Sequence, residues 1–285
     1  MRFSHAIALI KIWYNLHQGA DIVYPYLLPE IFEYNLPMYD LMITIGVLLL
    51  LIYVARRFDH QDGYERKYSN RILIYLAISL GVALGTSFLF DALFHSIAEG
   101  ELVIGSITFI GGLIGGLASF ILLLIYAGKT KGPHLLKILN TVIVGVVLAH
   151  AFGRIGCYLA GCCYGIPSES VFGVDFHAGE SVGNVLPTNL YESIFLFGLF
   201  IALNVIKSLK NREFSVYLMA YGTFRFLIEF IRGDDRGSLF GFIHTAYNSY
   251  PTPSQFLSLV MIVVGVYIYI KYQKNNPVQS APEVK

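Results

Sequence analysis

The chain has 285 residues, of which 55% are hydrophobic and only 14% charged, and its mean hydropathy is +0.61. Soluble domains usually carry about a quarter charged residues, so this composition indicates an integral membrane protein. The formal net charge is +1 and no helix-turn-helix or zinc-finger spacing occurs, which argues against a nucleic-acid partner.

Residues 1–35 are predicted to form an outward arm that lies at the membrane interface. A short apolar run near the start is interrupted by Lys11 and is followed by no small-residue cleavage site, so we interpret the segment as retained. Its aromatic residues, among them Trp13 and Tyr24, belong to the types that prefer the headgroup level of a membrane.

Seven later segments are apolar over about the length that a membrane-spanning helix needs. They cover residues 38–55, 71–90, 103–127, 135–153, 189–206, 214–231 and 255–272. The predicted fold class is therefore an all-α integral membrane protein with about seven transmembrane helices. We expect residues 36–273 to form one membrane domain and residues 274–285 to form a disordered cytoplasmic tail.

The orientation follows from where the basic residues collect, because Lys and Arg in short loops favour the cytoplasmic side. Most of them lie in the linkers 56–71, 128–137 and 207–213 and in the C-terminal tail. This alternation predicts an outer N-terminus and an inner C-terminus. It also places the two long connections, 154–188 and 232–254, on the outer side, where long loops are often functional.

The sixth predicted span contains charged residues that are costly inside a membrane. Arg225, Glu229 and Arg232 have the spacing i, i+4 and i+7, which predicts one helix face. One interpretation is an Arg225–Glu229 ion pair, with Arg232 extending to the interface. The other is a site that faces partner helices or a water-filled cavity.

A second cationic site follows the fourth predicted span, in the stretch GRIGCYLAGCCYG at 153–165. His150, Arg154 and Cys157 continue at helical spacing out of that span, so Arg154 reaches the same outer level as Arg225. A guanidinium group binds phosphate in a fork geometry, and converging arginines at headgroup depth therefore suit a phospholipid head group. The glycines of the stretch permit a sharp turn or close approach to a ligand.

The three cysteines of the chain, Cys157, Cys162 and Cys163, all lie in this stretch. Four interpretations are open: a disulfide from Cys157 to Cys162 or Cys163, metal binding with His150, a catalytic thiolate near Arg154, and inert buried thiols. The spacing C-x4-C-C matches no common zinc pattern, so neither a metal site nor a cofactor is predicted.

Five segments resemble motifs of the bacterial prolipoprotein diacylglyceryl transferases. GRIGCYLAGCCYG resembles the family's G-R-x-G-N-F-x-N-G-E-x-x-G, and YGTFRFLIEFIRGDD resembles its Y-G-x-x-R-F-x-x-E-F-x-R. PTNLYES, FIGGLIGG and PTPSQFLSL resemble its P-S-Q-L-Y-E, F-H-G-G-L-x-G and T-x-x-Q-x-x-S-L. The resemblance implies transfer of a diacylglyceryl group from phosphatidylglycerol to the lipobox cysteine of a prolipoprotein, with release of glycerol phosphate.

The resemblance also implies roles for individual residues. Arg154 and Arg225 would hold the phosphoglycerol head group and stabilise charge on the departing phosphate. The other positions that align with the family's site residues are assigned as follows: Glu229 as a catalytic residue, and Tyr39, Gly111, Gly112, Cys157, Gly165 and Arg232 as substrate-binding residues.

The chain departs from the family pattern at several positions: the P-S-Q segment is PTN here, and three residues of the proposed reacting centre differ. Ile110 replaces a histidine, Cys157 an asparagine and Cys162 a glutamate. His150, one helical turn from Arg154, is the candidate replacement base. The alternative is that His150 has a structural role only, with its hydrogen bonds satisfied within the membrane.

The sequence thus predicts a multi-pass enzyme of the bacterial inner membrane. Its expected partners are phosphatidylglycerol, a prolipoprotein and membrane lipid. The alternatives are a paralogue that uses the same donor with another acceptor, and a lipid-binding or transport protein in which the arginines recognise lipid.

Overall fold

Seven α-helices dominate the residues that the computed structural model describes, which are 26, 36–99, 109–128, 133–178, 180–233, 243–245 and 249–275. The helices are α1 (Met38–Arg57), α2 (Arg66–Glu99), α3 (Phe109–Leu122), α4 (Pro133–Leu159), α5 (Thr188–Val205), α6 (Glu213–Ile228) and α7 (Pro253–Asn275). Five-residue π-helical turns continue α1 to Asp62 and α3 to Ala127, and a 3₁₀ turn, Glu229–Ile231, follows α6.

Six of these helices are long and apolar enough to cross a membrane, and the shorter apolar helix Gly111–Ala127 is the seventh. Each of the seven overlaps one predicted span, which confirms the helical membrane fold class. The inside–outside orientation stays a prediction. The expected arm at 1–35, apart from Tyr26, and the tail beyond residue 275 lie outside the described residues.

Within the described residues, two short antiparallel hairpins interrupt the helical pattern, and neither was predicted from the sequence. In the first, β1 (Val174–Ala178) pairs with β2 (Glu180–Val185), and the register shifts between Phe176 and His177. In the second, β3 (Ile243–His244) pairs with β4 (Ser249–Tyr250). Phe176 and Val185 are buried against Tyr158, so the first hairpin packs over the end of α4. Both hairpins fall in the two long connections that we expect on the outer side.

The chain divides into two compact units, residues 51–142 and residues 1–50 with 143–285. In the first unit, α2 and α3 pack through the glycines of FIGGLIGG. A Cβ atom at Gly111 would lie 2.6 Å from the Cβ of Phe90, and one at Gly112 would lie 2.5 Å from the Oγ of Ser87. Small residues allow two membrane helices to approach closely, so these glycines serve helix packing in this unit.

The second unit holds α5, α6, α7 and the larger part of α4. Close helix contacts also depend on glycine here. A Cβ at Gly46 would lie 2.9 Å from the carbonyl oxygen of Ala149, which brings α1 against α4. A Cβ at Gly265 would lie 3.0 Å from the carbonyl oxygen of Ser215, where α7 meets α6. This packing positions the charged residues of α4, α5 and α6.

Candidate functional site

The centre of the site is a buried carboxylate, Glu192, in the first turns of α5. Its side chain is fully buried, and its Oε1 lies 3.1 Å from the Nε of Arg154 on α4. The same oxygen accepts a hydrogen bond of 2.7 Å from the hydroxyl of Tyr221 on α6. A buried charge is tolerated only when it is paired and hydrogen-bonded, and Glu192 meets both conditions.

Glu192 also connects the two predicted cationic sites. The Nε2 of His150 lies 3.6 Å from Oε1 of Glu192, and the ring of His150 packs edge-on against Tyr221. The guanidinium group of Arg225 on α6 is also close enough to interact electrostatically with Glu192. The predicted convergence of Arg154 and Arg225 is therefore present, with a carboxylate between them.

Arg154 presents part of its guanidinium group to a ligand. Its Nε faces Glu192, and its side chain is 11% exposed. No described residue accepts a hydrogen bond from its two terminal nitrogens, Nη1 and Nη2. A guanidinium group anchored on one edge, with the forked edge available, has the geometry that binds phosphate in bidentate fashion.

Arg225 is held by a second buried carboxylate at the end of α6. Its Nη1 lies 2.7 Å from Oε2 of Glu229, and its Nη2 donates a hydrogen bond of 3.1 Å to the hydroxyl of Ser254. Glu229 in turn accepts a hydrogen bond of 2.8 Å from Thr252. The Arg225–Glu229 ion pair, one of the two interpretations of the sequence, is present. Residues at the start of α7 hold both of its members in place.

The start of α7 is itself rigidly capped. The hydroxyl of Thr252 accepts a hydrogen bond from the backbone N–H of Gln255, and the side chain of Gln255 accepts one from the backbone N–H of Thr252. This reciprocal arrangement is a capping box, in which each side chain satisfies an exposed N–H group at the start of a helix. The cap therefore fixes Thr252 beside Glu229.

Arg232 differs from its predicted position. The helix tightens into the 3₁₀ turn at Glu229–Ile231, and Arg232 has an extended backbone with φ −80° and ψ 141°. Its side chain is 1% exposed, so it is packed within the protein and does not extend along the protein surface. Its backbone instead forms a β-bridge with Gly165, which joins the chain after α6 to the turn after α4.

Gly165 is required by this bridge, since a Cβ there would lie 2.6 Å from the carbonyl oxygen of Ile231. Overpacking of this kind typically costs about 1–3 kcal/mol. We expect Gly165→Ala to lower the midpoint of thermal unfolding by several degrees. Gly153→Ala is the matched control, because a Cβ at Gly153 meets nothing within 4 Å. Equal melting temperatures for the two variants would contradict this account.

The cysteine turn, residues 157–163, begins in the last turn of α4 with Cys157 and continues beyond the helix end at Leu159 to Cys162 and Cys163. No disulfide joins Cys157, Cys162 and Cys163, and their three Sγ atoms lie within 4.8 Å of one another. Hydrogen bonds from the Cys157 and Cys162 thiols lower the pKa of Cys163 below the usual thiol value, and the guanidinium groups of Arg232 and Arg154 act in the same direction. The disulfide from Cys157 to Cys162 or Cys163, one interpretation of the sequence, is therefore not observed.

Tyr39 lies in the first turn of α1, next to the glycine that precedes the cysteine turn. A Cβ at Gly156 would lie 3.3 Å from the Cα of Tyr39, so the backbones of α1 and α4 are close here. The phenol also lies near enough to the three cysteines and to Arg154 for electrostatic interaction. Tyr39 therefore belongs to the same cluster.

The structure brings most of the predicted site residues together in one unit. These are Tyr39, His150, Arg154, Cys157, Gly165, Arg225, Glu229 and Arg232. Gly111 and Gly112 belong to the other unit, and their proposed substrate contacts stay a prediction. Glu192 was missed as a site residue, although it is the one charged residue in the predicted span 189–206.

Comparisons with known proteins agree with these motifs. A family model described as prolipoprotein diacylglyceryl transferase matches residues 26–271. A Clostridium tetani protein named phosphatidylglycerol–prolipoprotein diacylglyceryl transferase is 33% identical over 251 residues, which cover 84% of this chain and 94% of that protein. A Clostridium perfringens protein of that name, numbered 2, is 31% identical over 260 residues, covering 85% of this chain and 93% of the relative.

Proposed function

The chain belongs to the prolipoprotein diacylglyceryl transferase family, and we propose that it transfers the diacylglyceryl group of phosphatidylglycerol to a prolipoprotein. The acceptor is the thiol of the lipobox cysteine, and the second product is glycerol phosphate. The names of the relatives supply both substrates. The relatives are bacterial proteins and the described part of the chain has six long apolar helices, so we place it in the bacterial cytoplasmic membrane.

The observation that carries this proposal is the guanidinium group of Arg154. It is nearly buried and anchored through Nε to Glu192, and its Nη1 and Nη2 have no acceptor among the described residues. In a low-dielectric site, such a fork binds a phosphodiester strongly and fixes its orientation. The lipid phosphate is then the acceptor for the two terminal nitrogens.

The reaction breaks the bond between a glyceryl carbon and a phosphate oxygen. The sulfur of the acceptor forms a thioether with that carbon, and the departing glycerol phosphate keeps the bonding electrons and gains negative charge. Arg154 and Arg225 stabilise this charge as it develops, because preorganised donors lower the barrier most where charge forms in the transition state. Their carboxylate partners hold both side chains in place before the lipid binds.

The other cluster residues have supporting roles in this proposal. Glu192 orients Arg154 and His150, and Glu229 orients Arg225. Arg232 and Gly165 fix the connection between the two arginine-bearing segments through their bridge. His150 is the histidine of the cluster that can exchange a proton with the acceptor, since it lies one helical turn from Arg154.

The test uses purified protein in vesicles that contain phosphatidylglycerol. A lipobox peptide should gain the mass of one diacylglyceryl group, whereas a matched peptide with serine in place of cysteine should not. Vesicles of phosphatidylethanolamine alone test the donor in the same way. Release of glycerol phosphate with an unmodified cysteine peptide would indicate another acceptor, and no turnover of lipid would overturn the proposal.

A further inference from the structure

We propose that Cys157, Cys162 and Cys163 form a zinc site that binds and deprotonates the acceptor thiol. This inference rests on the proposed function and deepens it. The three cysteines lie beside the candidate headgroup arginine, and the proposed reaction needs a thiolate at that place. An ordinary cysteine thiol has a pKa of about 8.5, so most of it is protonated and poorly nucleophilic at neutral pH.

The positions of the sulfur atoms fit zinc. Zinc–sulfur bonds are about 2.3 Å long, so two sulfurs of a tetrahedral site lie about 3.8 Å apart. The three Sγ atoms of this chain already lie within 4.8 Å of one another. Closure on an ion therefore needs each pair of sulfurs to approach by about 1 Å at most.

The backbone of the turn is built to hold the sulfurs together. Cys163 has a φ of 60°, a left-handed conformation that non-glycine residues rarely adopt without compensating contacts. The side-chain amide of Asn189 donates a hydrogen bond of 2.8 Å to the carbonyl oxygen of Cys162. The hydroxyl of Thr188 donates one of 3.1 Å to the carbonyl oxygen of Cys163. These bonds hold the backbone of the turn through its carbonyl groups. The Cys162 thiol donates to the carbonyl oxygen of Cys157 at 3.6 Å, and zinc binding would replace that contact.

The fourth coordination position would be open. No histidine, aspartate or glutamate joins the group within the part of the chain that the structure describes. Structural zinc sites are closed by four protein ligands, whereas catalytic sites keep three and leave one position to water or substrate. A three-cysteine site thus has a position for the sulfur of the acceptor.

The surrounding charge favours such a centre. Zinc with three thiolates carries one negative charge, and a fourth thiolate adds another. The guanidinium groups of Arg154 and Arg232 are near enough to act on the cysteine turn electrostatically. Cys157 also lies three residues after Arg154 on α4, a spacing that makes the two side chains neighbours on the helix.

The chemistry balances with zinc as the only added component. The acceptor thiol replaces water on the ion and loses its proton to solvent, because a coordinating thiol is deprotonated by the metal. The zinc-bound sulfur then attacks the glyceryl carbon, its electron pair forms the carbon–sulfur bond, and the carbon–oxygen bond to phosphate breaks. The thioether leaves zinc, which does not change oxidation state. His150 then acts within the Glu192 cluster and is not required as the base.

The first test measures metal content with the full chain. Wild-type protein stripped with a chelator and dialysed against zinc sulfate should retain about one zinc per chain. Cobalt sulfate as the probe should give thiolate-to-cobalt charge-transfer absorption, which the lipobox peptide should strengthen. Cys163→Ser should lower zinc affinity at least ten-fold, whereas Ser170→Ala, in the exposed loop, should not. Absence of bound zinc, or a disulfide among the cysteines, would overturn the inference.

The second test separates this inference from the proposed function. Stripped protein should transfer at least ten-fold more slowly, and zinc sulfate should restore the rate. His150→Gln should bind zinc like the wild type. Full transfer by protein shown to contain no metal would overturn the zinc site and leave the transferase proposal intact. A zinc-loaded protein that binds the peptide but consumes no phosphatidylglycerol would contradict the transferase proposal instead.

Discussion

Replacement of Arg154 by lysine is expected to lower the rate of diacylglyceryl transfer by about 100- to 1,000-fold, the usual loss when one preorganised donor to the transition state is removed. Lysine keeps the positive charge beside Glu192 but has a single nitrogen. A lysine ammonium group cannot contact the Glu192 carboxylate and also bind a phosphate through two parallel N–H groups, as a guanidinium group can. The measurement is the initial rate of lipobox-peptide modification. Arg225→Lys is expected to be impaired as well, because lysine lacks the planar group that contacts Glu229 through one terminal nitrogen and Ser254 through the other.

The control for this prediction is Arg56→Lys, since Arg56 is exposed near the end of α1 and has no place in the site. That variant should transfer at the wild-type rate. Circular dichroism and the thermal midpoint show whether Arg154→Lys is folded. A folded Arg154→Lys protein with the wild-type rate would contradict the headgroup role of the guanidinium fork.

Replacement of Glu192 by glutamine is expected to impair both stability and transfer. Glutamine has nearly the same shape but no charge, so Arg154 would be left in a buried position without its counter-charge. Removal of one partner from a buried ion pair typically costs about 3–5 kcal/mol. The thermal midpoint should fall by many degrees, and the remaining folded protein should transfer slowly because Arg154 is no longer oriented.

Two variants make this prediction specific. Glu169 lies in an exposed part of the connection after α4, so Glu169→Gln should have the thermal midpoint of the wild type. Tyr221→Phe removes only the 2.7 Å hydrogen bond to Glu192, so its cost should be about 1–3 kcal/mol, the penalty for leaving a buried acceptor less well satisfied. A Glu192→Gln protein with wild-type stability and rate would show that Glu192 does not organise the site.

Much of the fold was predictable because membrane-spanning helices have a strong one-dimensional signal. Length and hydropathy located all seven helices. The majority of the helix ends lie within a few residues of the predicted ones. The hairpins were not predictable in the same way, since β1 and β2 are short, contain apolar and polar residues in similar number, and are stabilised by packing of Phe176 over the end of α4. Such tertiary contacts leave little periodicity in the sequence.

The site was predictable where a charge stood out against an apolar background. Arg154, Arg225 and Glu229 were found because ionisable groups within spans are costly and need a reason. The same argument applied to Glu192 would have identified it. Helical spacing could not predict the buried position of Arg232, because the helix tightens into a 3₁₀ turn at Glu229 and ends before Arg232.

The cysteines show most clearly what the structure adds. Their spacing matches no common zinc pattern, and the sequence therefore predicts no metal site. The left-handed turn at Cys163 and the bonds from Thr188 and Asn189 place the three sulfurs in one group, an arrangement that spacing alone does not reveal.

The measurement that tests the central claim most directly is release of glycerol phosphate from labelled phosphatidylglycerol by the purified protein. With the lipobox cysteine peptide present, one glycerol phosphate should appear for each diacylglyceryl group that the peptide gains. Without the peptide, release should stop, and Arg154→Lys should reduce it with the peptide present. Release that neither depends on the peptide thiol nor responds to Arg154 would contradict the assignment of this site to diacylglyceryl transfer.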